Sequence, residues 1–181
     1  MFRRGFISAV AAGALICTTL LVGNVAIATA SSTPGGLIKI FSDQSNDTNN
    51  GATGPIVITG AIGDYGTATT INKDGTVNSS GNYVKIVLKK GTFEINSIAF
   101  NKATNSAQPT SNAANCSNVV IATGPVTLFD GTGAYAGIGG TLTVTLNVAY
   151  IAPKTANGKC NENTQPADFF ATITGSGVVS F

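Results

Sequence analysis

The sequence predicts an all-β domain of antiparallel strands, closed as an eight-stranded barrel or packed as a β-sandwich. Three observations carry this. Eight runs are rich in Val, Ile, Thr and Phe, and several alternate in polarity. Short glycine-bearing connections of the kind that close hairpins separate many of them. No stretch after the first thirty residues has a helical apolar period of comparable length.

Taken in order, residues 1–30 read as a signal peptide with its helical apolar core. Arg3 and Arg4 form a cationic start, Ile7 to Val22 an apolar stretch, and Ala28-Thr29-Ala30 a cleavage site, so that one β domain spans 31–181. Arg3-Arg4-Gly5-Phe6-Ile7 also fits a twin-arginine route, which leaves the export machinery open. Cys17 follows Ile16 where a lipoprotein signal wants a small residue. Strands are expected over Leu37 to Phe41, Ile56 to Ile62 and Thr67 to Ile71, with Gly63-Asp64 turning between the last two. Lys73-Asp74-Gly75 and Lys89-Lys90-Gly91 then bracket Tyr83 to Lys89, and Thr92 to Phe100 follows. The stretches from Asp43 to Gly51 and over 101–118 read as low-complexity loops. Val119 to Phe129, Thr141 to Ile151 and Phe169 to Phe181 complete the set. In the Thr141 run, Leu142, Val144, Leu146, Val148 and Tyr150 share one apolar face, while Thr143, Thr145 and Asn147 share a face that tolerates water.

Charge and composition remove whole classes of function. Arg3 and Arg4 are the only arginines, so beyond residue 30 eight lysines face eight acidic residues and no basic patch recommends nucleic acid or an anionic membrane. The same stretch has no His, Trp or Met. The commonest general base, the commonest metal ligand and the bidentate anion clamp are all missing, so the sequence leans away from an enzyme and implies no cofactor. Asp43 to Gly51 offers oxygen ligands but lacks the spacing and terminal glutamate of a calcium loop, and no metal site is assigned.

Two cysteines remain beyond the signal, Cys116 and Cys160, both in Asn-rich stretches. In an oxidising compartment an even pair reads as one structural disulfide. Closing a loop of about 45 residues contributes roughly 3 to 4 kcal/mol in the chain-entropy picture.

Ala52-Thr53-Gly54-Pro55-Ile56 recurs seventy residues on as Ala122-Thr123-Gly124-Pro125-Val126, and at the same offset Gly63-x-Tyr65 recurs as Gly133-x-Tyr135. Two related hairpins are the expected cause. In each, the tyrosine would fold back over the hairpin end or line a ligand mouth.

The run Asp130-Gly131-Thr132-Gly133-Ala134-Tyr135-Ala136-Gly137-Ile138-Gly139-Gly140, followed by the Leu142 to Tyr150 strand, resembles the glycine-rich signature of the allene oxide cyclase and dirigent superfamily. The resemblance implies an antiparallel eight-stranded barrel of lipocalin-like shape. It also implies a lipid-derived substrate cyclised by cavity shape, or radical coupling around acidic residues and an arginine. No arginine lies beyond Arg4, so the second activity lacks the arginine that the resemblance calls for.

Few candidate site residues follow. Glu94 shares a strand face with Asn96, Ile98 and Phe100; inside an apolar barrel its carboxyl would be pushed up and act as acid or base. With Phe93, Ile95 and Ala99 inward instead, Glu94 and Asn96 lie on the wet exterior. Tyr65, Tyr135 and Asn96 are the candidate ligand-binding residues. Asp130 is expected to bond locally to backbone. Asn46-Asp47-Thr48, Asn78-Ser79-Ser80 and Asn115-Cys116-Ser117 satisfy the glycosylation sequon. The terminal Val178-Val179-Ser180-Phe181 also suits an outer-membrane barrel, against which stands the Thr/Asn-rich face that lipid would have to cover. The expectation is an exported, non-catalytic barrel, secreted or in the cell envelope. It would bind a small apolar ligand or a surface partner, with a cyclase-like isomerase acting through cavity shape as the alternative.

Overall fold

The computed structural model describes residues 35–45 and 52–181. Among these, the strands are β1 (Gly36–Asp43), β2 (Thr53–Gly60), β3 (Asp64–Ile71), β4 (Tyr83–Leu88), β5 (Gly91–Asn96), β6 (Thr110–Asn112), β7 (Ser117–Phe129), β8 (Gly139–Ile151) and β9 (Asp168–Ser180). A helix, α1 (Ile98–Ser106), lies between β5 and β6, and a 3-10 turn (Gly133–Tyr135) between β7 and β8. The signal peptide, the Asn46 sequon and most of the Asp43 to Gly51 loop lie outside the described residues.

Every pairing is antiparallel, and the order β5-β4-β3-β2-β1-β9-β8-β7 closes on itself through β5 and β7. The result is a closed eight-stranded barrel in which each strand pairs with the next large strand along the chain, with β6 added to the end of β7. The seams differ greatly in length. β8 and β9 match over thirteen residues from Gly139–Ser180 to Ile151–Asp168, whereas β5 and β7 close the ring over three, Glu94–Phe129, Ile95–Leu128 and Asn96–Thr127.

The period of two along each strand sorts side chains between lumen and exterior. Ile38, Ile40, Ile56, Ile58, Ile86, Phe93 and Leu142 point inward and are buried. Lys39, Thr59, Lys85, Thr143 and Ser176 alternate with them on the outside. The lumen is closely filled: a methyl on Gly175 of β9 would stand 2.9 Å from Val144 Cγ2 and 3.0 Å from Ile40 Cγ1.

The repeat falls on β2 and β7, which are four strands apart in the eight-membered ring and hence on opposite walls. Gly54 and Gly124 both face inward. The two tyrosines part company because the connections differ. A three-residue link places Tyr65 second in β3, facing out, whereas the longer link after Phe129 frees Tyr135 to turn into the barrel.

Two neighbouring expectations fail, since the loop expected over 101–118 holds most of α1, all of β6 and the start of β7. The strand expected to run from Thr92 to Phe100 ends at Asn96, and the chain turns into α1. Its nine residues, with Asn101, Thr104 and Asn105 among them, are too short and too weak in propensity to form a helix in isolation, so tertiary contacts hold it. It packs on the inner face of β7, where a methyl on Gly124 would approach Phe100 Cα to 3.0 Å and Ala103 Cβ to 3.3 Å. Asn101 Nδ2 latches it by donating to the Gly81 carbonyl at 3.0 Å and to Asn82 Oδ1 at 3.1 Å. Gly124→Ala is therefore expected to lift α1, destabilising the fold by about 1 to 3 kcal/mol through overpacking. Hydrogen exchange should find the loss concentrated in 98–106; uniform loss over the barrel would contradict the role given to Gly124.

Cys116 and Cys160 form a disulfide, with Cα atoms 5.4 Å apart and a sequence separation of 44. It ties the start of β7 to the long β8–β9 loop. Beside it, buried Asn118 accepts from Ser111 Oγ and donates to the Cys116 carbonyl and Glu162 Oε1.

Candidate functional site

The lumen is stoppered at one end and narrowed at the other. At the end where β3 and β5 begin, the glycine-rich turn folds Tyr135 inward until it is 1% exposed. Gly131 makes this possible because any Cβ there would collide with the Tyr135 carbonyl, and Gly133 because its φ of 60° suits a residue without a side chain. Phe93 meets the Tyr135 ring edge-on at 5.8 Å, and Phe181 covers it at 6.4 Å. Its hydroxyl donates to Asp64 Oδ2 at 2.5 Å. Asp64 also accepts from the backbone N–H groups of Tyr65 and Lys90.

Burial works to raise the Asp64 pKa, but the hydrogen bonds from Tyr135, Tyr65 and Lys90 outweigh it and hold the carboxyl below its ordinary 3.8. Burial, followed by the bond to Asp64, pushes the Tyr135 hydroxyl well above its ordinary 10.0. The lowered acid stabilises the fold above pH 3.8 and loses that contribution as pH falls further. The raised phenol contributes fully below pH 10.0 and less above it. Thermal melts should therefore be level between these limits and fall outside them. Asp64→Asn should blunt the acid fall and Tyr135→Phe the alkaline one; unchanged limbs would contradict the pairing.

At the other end Phe100 of α1 covers the lumen. Beneath it lies a cavity of about 80 Å³, lined by Ile56, Val84, Ile86 and Val126 and rimmed by Ser42, Thr70 and Ser97. That is well below the several hundred Å³ of a small-molecule site.

The proposed site residues scatter. Tyr135 is the buried stopper just described. Tyr65 is 58% exposed on the outer wall, with Lys89 Nζ 5.3 Å above its ring. Glu94 and Asn96 face outward, since Phe93 and Ile95 occupy the lumen; Ile98 and Phe100, expected on the same strand face, belong to α1. These two do come together with other groups. A groove of about 390 Å³ runs over the short β5–β7 seam, lined by Lys73, Tyr83, Glu94, Asn96, Phe129 and Asp130, with Thr127 at its floor. Tyr83 and Phe129 meet edge-on at 6.1 Å across β5. Asp130 sits at the rim with φ 51°, a left-handed conformation that Asp tolerates better than most residues. Lys73 comes from the β3–β4 loop, which folds back so that Val77 pairs with Ile71. Sequence reasoning placed Glu94 and Asn96 but missed Tyr83, Phe129 and Lys73 as their neighbours, because barrel closure joins segments distant in the chain.

A larger groove of about 500 Å³ crosses the outer face of the β7–β9 extension over Val119, Ala149 and Phe170. Its rim passes Ser45. In the candidate calcium loop, the Asp43 carboxylate accepts from the Ser45 backbone, which lowers its pKa. Among the described residues no three His, Cys, Asp or Glu side chains gather as a metal set, and no helix is long and apolar enough to cross a membrane. No protein-family model, no curated protein and no solved structure matches the chain.

Proposed function

We propose that this is an exported, non-catalytic binding protein that works through the outer wall and loops of a filled barrel, secreted or held in the cell envelope. The observation that carries the reading is the small lumen, closed at one end by Tyr135 and narrowed at the other by Phe100 to a space of about 80 Å³. The Cys116–Cys160 disulfide supports an oxidising compartment, and the Ala28-Thr29-Ala30 cleavage pattern supports export. An apolar lumen is the reverse of the polar interior of a membrane barrel, and Lys39, Lys85 and Thr143 interrupt the apolar residues of the outer wall. The Asp130 to Gly140 turn keeps its resemblance to the allene oxide cyclase and dirigent superfamily, and that relationship is part of the proposal.

One observation favours a second reading, in which α1 lifts to admit a small lipid-like molecule: the cavity beneath Phe100 has an apolar floor and a rim of hydroxyls. Native mass spectrometry of the oxidised protein after exposure to a cell lipid extract separates the two. The filled-barrel reading expects the bare polypeptide mass; a retained small molecule would favour the second.

A further inference from the structure

We infer that the groove over the β5–β7 seam binds a neutral polyhydroxylated ligand, a segment of a sugar chain. This rests on the surface-binding reading and names its site. Three features of the groove select the ligand class. Glu94, Asp130 and Lys73 line it with two carboxylates and one ammonium, acceptors and a donor that suit the neighbouring hydroxyls of a pyranose ring. Lys85 stands directly across from Glu94 on β4, so the local charges roughly cancel and favour neither an anion nor a cation. Tyr83 and Phe129, edge to face, give the wall an apolar surface for the C–H face of a sugar ring.

The other ligand classes fit less well. Two carboxylates are too few to hold a metal in a protein cage. An extended peptide adding itself as a strand needs a free sheet edge, and β4, β5 and β7 are all paired along the groove. At about 390 Å³ and open along one side, the groove suits part of a chain that continues into solvent. The scaffold is also adapted to the task. Asn96 is held by the Ile98 N–H bonding to its Oδ1, which leaves its amide N–H groups for a ligand.

The test is two-dimensional amide NMR of the oxidised full-length mature protein, titrated separately with cellohexaose, chitohexaose and mannohexaose. Saturable shifts at Glu94, Asn96, Thr127 and Asp130 are expected with at least one of them. Glu94→Gln and Asp130→Asn keep side-chain shape, and Asn tolerates the Asp130 backbone; each is expected to weaken binding about tenfold at an unchanged melting temperature. Lys39→Gln, on the opposite wall, is expected to bind like the parent. If none of the three sugars moves the groove amides, or if both groove variants bind like the parent, the sugar assignment is overturned. Shifts at Ile40, Ile56 and Val84 in place of the groove would instead overturn the surface-binding reading on which it rests.

Discussion

Tyr135→Ala is expected to cost about 4 to 8 kcal/mol, enough to leave a domain of ordinary stability close to unfolding. Two losses combine. Removing a buried aromatic ring empties the volume between Phe93 and Phe181, worth about 3 to 5 kcal/mol for an aromatic truncated to alanine. Removing the hydroxyl also leaves Asp64 Oδ2 without its side-chain donor, a further 1 to 3 kcal/mol or so. Tyr135→Phe isolates the second loss, so urea denaturation of the two variants should differ by roughly the aromatic term. Equal, small effects from both would mean that the turn closes the barrel without the tyrosine.

Removing the disulfide is expected to have the next largest effect. With Cys116 and Cys160 separated by 44 positions in sequence, the loop-closure model gives about 4 kcal/mol for Cys116→Ser/Cys160→Ser relative to the oxidised protein. Much of this acts through the unfolded chain, so the barrel's own hydrogen bonds should survive in the mutant. The β8–β9 loop should not be so well preserved, because Asn118, Glu162 and Tyr150 hold it through bonds of 3.3 Å beside the disulfide. Chemical denaturation measures the first effect and amide exchange over 152–167 the second. A change below 1 kcal/mol or so would indicate that the reduced chain already keeps these segments together.

Much of the barrel can be read in the sequence, and the part that cannot has a physical cause. Alternation in Leu142 to Tyr150 fixes which residues of β8 face the lumen, and local sterics with burial on one side leave little freedom in that choice. Phe93 and Ile95 do the same for β5, which sends Glu94 outward. The helix is hidden because Ser97 continues the inward alternation after Ile95 and is itself buried, so the strand pattern runs straight into α1. What ends the strand is tertiary: Gly124, twenty-seven residues on, leaves the hollow that Phe100 fills. A polar Asn96-Ser97 pair ahead of an Ala- and Lys-bearing stretch is the local trace of that helix start.

The same distinction applies to the site. Tyr65 and Tyr135 share a motif but not an environment, since the length of the following connection decides whether the ring points out or in. Asp64, beside one tyrosine in the chain, bonds to the other 71 residues away. The repeat signals related hairpins, yet the contact between them depends on how the ring of strands closes. Glu94 and Asn96 were visible as polar residues on a strand, whereas their grouping with Tyr83 and Asp130 needs the β4–β5–β7 arrangement.

A filled lumen, with binding left to the outer wall as proposed, has a direct test. Methyl NMR tests it most directly, with Ile40, Ile56, Ile86 and Ile95 labelled and the oxidised protein exposed to lauric acid. Because these side chains line the space beside Phe100, a ligand entering there must shift their methyl signals. The signals are expected to stay in place; saturable shifts of these isoleucines would show instead that the lumen admits a ligand.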